Sequence, residues 1–107
     1  MTSWSVGRFD TLIHSPVRLR ICGLLRTVQQ LEFAVVRDAL EVTDAHLSKN
    51  IKVLADAGYI DLRKERATER GGARPRTWIG LTAAGRNALE SHLTALTQIA
   101  EGGPVGP

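Results

Sequence analysis

The chain has 107 residues, enough for one domain with a modest core, and its 43% hydrophobic and 23% charged content is that of an ordinary soluble globule. A net charge of +3 and a pI near 9.6 favour an acidic partner without naming one, while a single cysteine excludes an intrachain disulfide. The N-terminus lacks an apolar signal core and no apolar run approaches the ~18 residues of a transmembrane helix, so a cytoplasmic protein without membrane contact is expected.

Residues 1 to 7 are small and polar apart from Trp4, which marks either a frayed end or an arm seeking a partner surface. Phe9 to His14 can form a short helical turn. Ser15 and Pro16 then pair an N-cap with a proline at the first helical position, where its missing N–H costs nothing. The helix they open carries Val17, Ile21, Leu24, Leu25 and Val28 as a stripe to about Thr27, and Leu19 and Cys22 widen its apolar surface. It is expected to pack in two directions. Cys22 reads as a small buried hydrophobe, since no dedicated cation or helix N-terminus beside it favours the thiolate.

A brief extended link at Gln29 to Glu32 leads to a second, short helix, Phe33 to Leu40, with Phe33, Val36 and Leu40 at helical spacing. Glu41 and Val42 run directly into Thr43, an N-cap residue followed by Asp44 in the first turn, and Gly58 supplies the stop. Two helices joined by three or four residues have helix-turn-helix spacing. In the helix from Thr43 to Gly58, Leu47, Ile51 and Leu54 form a core-facing stripe, and Ala45, Ser48, Lys49 and Lys52 fall on the far side. That far side is small at its start and cationic further along, which suits a DNA major groove: little bulk, hydrogen-bonding side chains, lysines for phosphates. Alone, such a face is the ordinary solvated side of an amphipathic helix.

Context separates the two readings. Tyr59 to Lys64 alternates apolar and polar, and Thr77 to Leu81 is β-prone, so a hairpin is expected there. Between Arg63 and Arg76 six basic residues stand against two acidic ones, and Gly71, Gly72 and Pro75 shape a long loop. A hairpin with such a loop is a wing, from which Arg66, Arg70, Arg74 and Arg76 can reach phosphates or a minor groove. Thr82 caps a last helix that runs to about Ala100, with Leu89, Leu93, Leu96 and Ala100 flanked by Ile99 as an apolar seam. About 19 residues at 1.5 Å each span roughly 28 Å, more than a small core covers, so part of this helix is expected to meet a second subunit. Residues 1–101 thus read as one domain and 102–107 as a flexible tail.

The stretch LEFAVVRDALEVTDAHLSKNIKVLADAGYIDL resembles the core of the bacterial winged-helix regulators of the MarR and ArsR superfamily, especially short single-domain members. HSPVRLRICGLL resembles the helix that opens that domain, RPRTWIGLTAAGRNAL the strand and helix that close it, and the likeness covers roughly Leu12 to Ala95. It implies a mainly α fold with a small β-hairpin, a winged helix-turn-helix with a long C-terminal dimerisation helix. It also implies a homodimer binding double-stranded DNA at an inverted-repeat operator, as a repressor by occlusion. Ser48, Lys49 and Lys52, with Ala45, His46 and Asn50 beside them, would then read or flank base edges, and the wing arginines would hold phosphates. Trp4, Phe9, Leu89, Leu93 and Leu96 would form the dimer contact. One departure is Glu41, where many relatives carry glycine; a left-handed residue there costs ~1 kcal/mol.

Other chemistries find little support. His14, His46 and His92 are scattered and no strong ligand pair sits at helical spacing, so no metal and no cofactor are expected. No catalytic dyad or phosphate-cradling glycine loop is evident, and an enzyme is not expected. Two rivals stay open: a protein-interaction module that uses the same surface, and a ligand-gated regulator with a small-molecule effector cleft at the dimer interface near His14, Trp4 and the last helix.

Overall fold

A computed structural model of the chain describes residues 6–65 and 75–103. Helix α1 is Pro16–Leu25, strand β1 Leu31–Glu32, α2 Phe33–Leu40, α3 Asp44–Asp56, β2 Ile60–Glu65, β3 Arg76–Leu81 and α4 Ala83–Ala100. The caps form as their residue types require. The Thr43 hydroxyl accepts from the His46 N–H at 3.1 Å, and the Thr82 hydroxyl accepts from the Gly85 N–H while donating to the Gly58 carbonyl at 2.6 Å. Thr82 therefore ties the start of α4 to the end of α3. Gly58 takes φ 81, the left-handed stop expected after α3.

Glu41 also takes left-handed backbone, at φ 56 and ψ 47, and its N–H bonds the Arg37 and Asp38 carbonyls. The departure from glycine thus leaves the turn geometry in place and adds its steric cost. Helix α1 ends at Leu25, two residues before Thr27, where the Arg26 N–H turns back to the Gly23 carbonyl.

The extended link before α2 is a strand. Leu31 pairs with Ile79 and Glu32 with Trp78, so the expected hairpin is the larger part of a three-stranded antiparallel sheet of order β1-β3-β2. Ile60 opposes Leu81, Leu62 opposes Ile79 and Lys64 opposes Thr77, which puts these six on one face of the pleat. Ile79, Ile60 and Leu81 meet the helices there. The core joins Ile13, Ile21, Cys22, Leu25, Val36, Leu47, Leu54, Ile79 and Leu89 in one cluster. Burying each large aliphatic side chain contributes about 1.5–3 kcal/mol before chain entropy is subtracted. Gly85 lets α4 lie on the Tyr59 carbonyl, where a Cβ would overlap the oxygen. At the far end of α4, the Gly102 and Gly103 N–H groups bond the Ile99 and Gln98 carbonyls, so the first two residues of the expected tail close the helix.

Candidate nucleic-acid interface

Helix α3 turns Leu47, Ile51 and Leu54 inward and leaves Ala45, His46, Ser48, Lys49 and Lys52 exposed. Thr43 at its start accepts from the His46 N–H, and Arg37 of α2 bridges Asp38 and Asp44 at 2.9 Å each. Those two carboxylates raise the Arg37 pKa further, through hydrogen bonds first, so the guanidinium stays charged at any working pH. Lys52 pairs with Asp56 one turn along at 3.0 Å, an exposed pair worth ~0.3–0.5 kcal/mol that an anion can displace.

Asn50 does not belong to this outer face. It is 5% exposed; its Oδ1 accepts from Arg18 Nη1 at 2.9 Å and its Nδ2 donates to the His46 carbonyl at 2.9 Å. The expectation that it flanks base edges is corrected, because the side chain is buried, its Oδ1 tied to α1 and its Nδ2 to the α3 backbone. Arg18 escapes a reading of the sequence because it sits on the opening helix, yet it also donates from Nε to the Leu12 carbonyl at 2.5 Å.

Between α3 and the sheet lies an open groove of about 580 Å³, with Phe33, Ile51 and Leu62 at its floor and Ser48, Lys52, Lys64 and Thr77 on its walls. The pleat explains Lys64: it shares the face of Leu62 and so points along the groove beside α3. On the opposite face the Arg63 guanidinium stands over the Trp78 ring, 5.9 Å from its centroid. Arg76 is exposed at the start of β3, 3.7 Å from Glu32 and opposite Glu65 across the strand pair, on the face turned away from Lys64. Arg66, Arg70, Arg74 and Trp4 lie outside the described residues.

The expected dimer seam splits in two. Leu89 is 1% exposed and packs in the chain's own core, so it is corrected from a subunit contact to a core residue; Leu93 packs against that core in part. Leu96 is half-buried, and Ile99 of α4 and Val6 of the N-terminal segment are exposed at 48% and 45%. Phe9 packs on the rings of His14 and His92 instead, with centroids at 4.6 and 4.8 Å.

These two histidines, far apart in the chain, are brought together. His14 Nδ1 lies 3.2 Å from His92 Nε2, and His92 Nδ1 accepts from the Asp10 N–H at 2.9 Å. Tyr59 donates to Asp10 Oδ2 at 2.6 Å, which with burial pushes its phenol up to about 12. Burial, then Asp10, push the Cys22 thiol up to about 11, in keeping with a buried hydrophobe. Among the described residues no group of three or more His, Cys, Asp and Glu is arranged to hold a metal.

No helix among the described residues is long and apolar enough to cross a membrane. In sequence the chain is 28% identical over 90 residues to Uncharacterized protein MJ0432 of Methanocaldococcus jannaschii, covering 84% of this chain and 94% of that one. In structure it is similar to a transcriptional regulator homologue protein from Pyrococcus horikoshii OT3, with TM-score 0.78, 27% identity and coverage of 87% and 88% of the two chains. YusO of Bacillus subtilis shares the fold at TM-score 0.69 and 17% identity, with 81% of this chain and 58% of that one covered. The resemblance carried by the helix-turn-helix stretch is upheld, with a fold of DNA binding and not of catalysis. The family model described as the winged helix DNA-binding domain matches residues 17–100, and the chain belongs to that family.

Proposed function

We propose that the chain is a homodimeric, sequence-specific double-stranded DNA-binding transcriptional regulator, a repressor that occupies an inverted-repeat operator. The observation that supports it best is the outer face of α3, where Ala45, His46, Ser48, Lys49 and Lys52 stand exposed opposite a buried stripe. Small side chains at the helix start allow close approach, Ser48 and His46 offer hydrogen bonds to base edges, and the lysines meet phosphates. Lys64 on β2 extends the cationic surface beside α3, and the sequence between β2 and β3 supplies further charge in Arg66, Arg70 and Arg74, with Arg76 following at the start of β3. A single module of this kind covers roughly 600–1,000 Å² of DNA-facing surface, so two of them on a two-fold axis supply specificity, with half-sites ~10 bp apart.

A mobility-shift titration against duplex DNA at varied salt tests this reading. Replacing Lys49 and Lys52 by Ala should leave the fold intact, because neither touches the core, and should lower the salt slope by about one unit for each phosphate that is no longer neutralised. Unchanged affinity would remove α3 as the reading helix. Absence of duplex binding at any salt would leave a protein-interaction module on the same surface.

A further inference from the structure

The N-terminal segment joins α4 to α3 through an unbroken chain of hydrogen bonds. It begins at His14 and His92, passes from His92 Nδ1 to the Asp10 N–H, and continues through Asp10 Oδ1, which accepts from the Leu12 and Ile13 N–H groups at 2.9 and 3.1 Å. The Leu12 carbonyl then accepts from Arg18, Arg18 donates to Asn50, and Asn50 donates to the His46 carbonyl on α3. We propose that the His14 and His92 pair is a proton-operated clasp, and that Asp10, Arg18 and Asn50 are positioning residues that carry its state to the DNA-facing helix.

Donors and acceptors fix the protonation of the pair. His92 is fully buried, and its Nδ1 faces a backbone N–H, so Nδ1 must carry the lone pair and Nε2 the proton. Nε2 therefore donates to His14 Nδ1, whose own proton is on Nε2. Both rings are neutral. One added proton has no harmless place. On His14 Nδ1 it opposes the His92 Nε2–H; on His92 Nδ1 it opposes the Asp10 N–H; and a tautomer shift in His92 only moves the clash from one end of the ring to the other. His14 is exposed and can turn to water, which leaves the buried His92 Nε2–H unpartnered on the ring whose Nδ1 holds the Asp10 N–H.

The surroundings favour the neutral form of His92. Burial first, then His14, lower the His92 pKa below 6.5, and Asp10 opposes them. The titratable group facing the pair is Asp10 from the N-terminal segment, and Tyr59 from the turn after α3 and Cys22 from α1 stand against Asp10, both held protonated. A histidine whose folded pKa is depressed contributes stability that is complete above its unfolded value of 6.5 and lost as pH falls through the folded value. The clasp is thus closed while His92 is neutral and opens as pH falls through its lowered folded value.

The clasp rests on α3 as the DNA-facing helix, and the test separates the two. Duplex affinity is measured at fixed salt from pH 7.5 to 5.5 for the wild-type chain and for His14→Gln, whose amide accepts from His92 Nε2–H and does not titrate. In parallel, the Asn50 side-chain amide and the His14 ring are followed by NMR across the same range. The two proteins should bind alike at pH 7.5, and by pH 5.5 the wild type should be weaker than His14→Gln by about threefold or more. His46, exposed on α3, is common to both and cancels in that ratio. The Asn50 amide should move in the wild type with the midpoint of His14. A stationary Asn50 amide, or a His14→Gln curve that follows the wild type, overturns the proposal. Absence of duplex binding by either protein at pH 7.5 instead overturns the α3 assignment, and the NMR arm, which needs no DNA and no variant, then decides the clasp by itself.

Discussion

Arg18 on α1 and Asn50 on α3 meet at 2.9 Å, guanidinium Nη1 to amide Oδ1, beneath the face of α3 that looks outward. The bond is charge-assisted and partly buried, a class worth about 1.5–3 kcal/mol and directional as well as strong. Arg18 also holds the Leu12 carbonyl, and Asn50 the His46 carbonyl within α3, so both ends of the bond that crosses from α1 to α3 are themselves held in place. The helix that presents Ser48 and Lys49 is therefore set by polar bonds as well as by Leu47, Ile51 and Leu54.

Replacing Asn50 by Ala removes the acceptor and leaves a partly buried guanidinium short of one partner. Stability should fall by about 1–3 kcal/mol, with a further drop in duplex affinity when both proteins are compared at a temperature where each is folded. Urea denaturation alongside a mobility shift separates the two effects. Wild-type affinity in a destabilised Asn50→Ala chain would mean that the packing stripe alone orients α3.

The features that can be read from the sequence are those whose cause lies within about four residues. Thr43 and Thr82 cap because their hydroxyls reach N–H groups three positions on, and Gly58 ends α3 because of its own φ. The stripes of α1 and α3 follow from periodicity alone. Asn50 defeats periodicity because it flanks the stripe on a polar arc, and its partner is 32 positions away. The histidine pair is separated by 78 positions and nothing local announces it. Strand β1 has two residues, too few for alternation to register. In α4, periodicity cannot say which of two adjacent apolar rows, that of Leu89 or that of Ile99, meets the chain's own core.

Glu41 carries a steric cost that its position does not require. At φ 56 a Cβ costs about 1–2 kcal/mol against right-handed backbone, while glycine adds back roughly 0.5–1 kcal/mol of unfolded-chain entropy. Glu41→Gly should therefore raise stability by up to about 1 kcal/mol and raise Tm, with duplex binding unchanged because the backbone path of the turn is the same. A lower Tm on calorimetry would show that the Glu41 side chain makes a favourable contribution that outweighs its backbone strain.

Cys22 lies fully buried in the core, its thiol pushed up to about 11 by burial and then by Asp10. At pH 8 the thiolate fraction is roughly one in a thousand, against about one in four for a free thiol, before burial blocks the reagent. Alkylation of the native chain should accordingly track global unfolding, and its rate should rise with urea in step with the disappearance of helical signal. Fast labelling without urea would mean that α1 detaches from the core by a local opening.

Subunit pairing through α4 makes the last prediction, and the structure moves it off the residues that the apolar seam suggested. Leu89 already belongs to the core and Leu93 leans on it, so changing either would confuse unfolding with dissociation. Leu96 is half-buried, Ile99 is 48% exposed one helical row away, and Val6, 45% exposed, lies on the segment whose Gly7 N–H is bonded to the Gln98 side chain at 2.9 Å. Leu96 and Ile99, three positions apart on α4, form the apolar surface that a partner α4 would cover, while Val6 sits beside Glu90, Ser91 and Thr94 on another side of the helix. Replacing Leu96 and Ile99 by Glu should leave the helical content and the Leu47, Ile79 and Leu89 core intact, yet give monomers in light scattering at micromolar concentration. Each monomer would keep its own α3 face, so nonspecific duplex binding should persist while operator affinity drops by far more, because a monomer engages one half-site only and the symmetry of the operator no longer helps it. A wild-type chain that scatters as a monomer, or a selected binding site without inverted symmetry, would defeat the pairing and leave single-module DNA binding in its place.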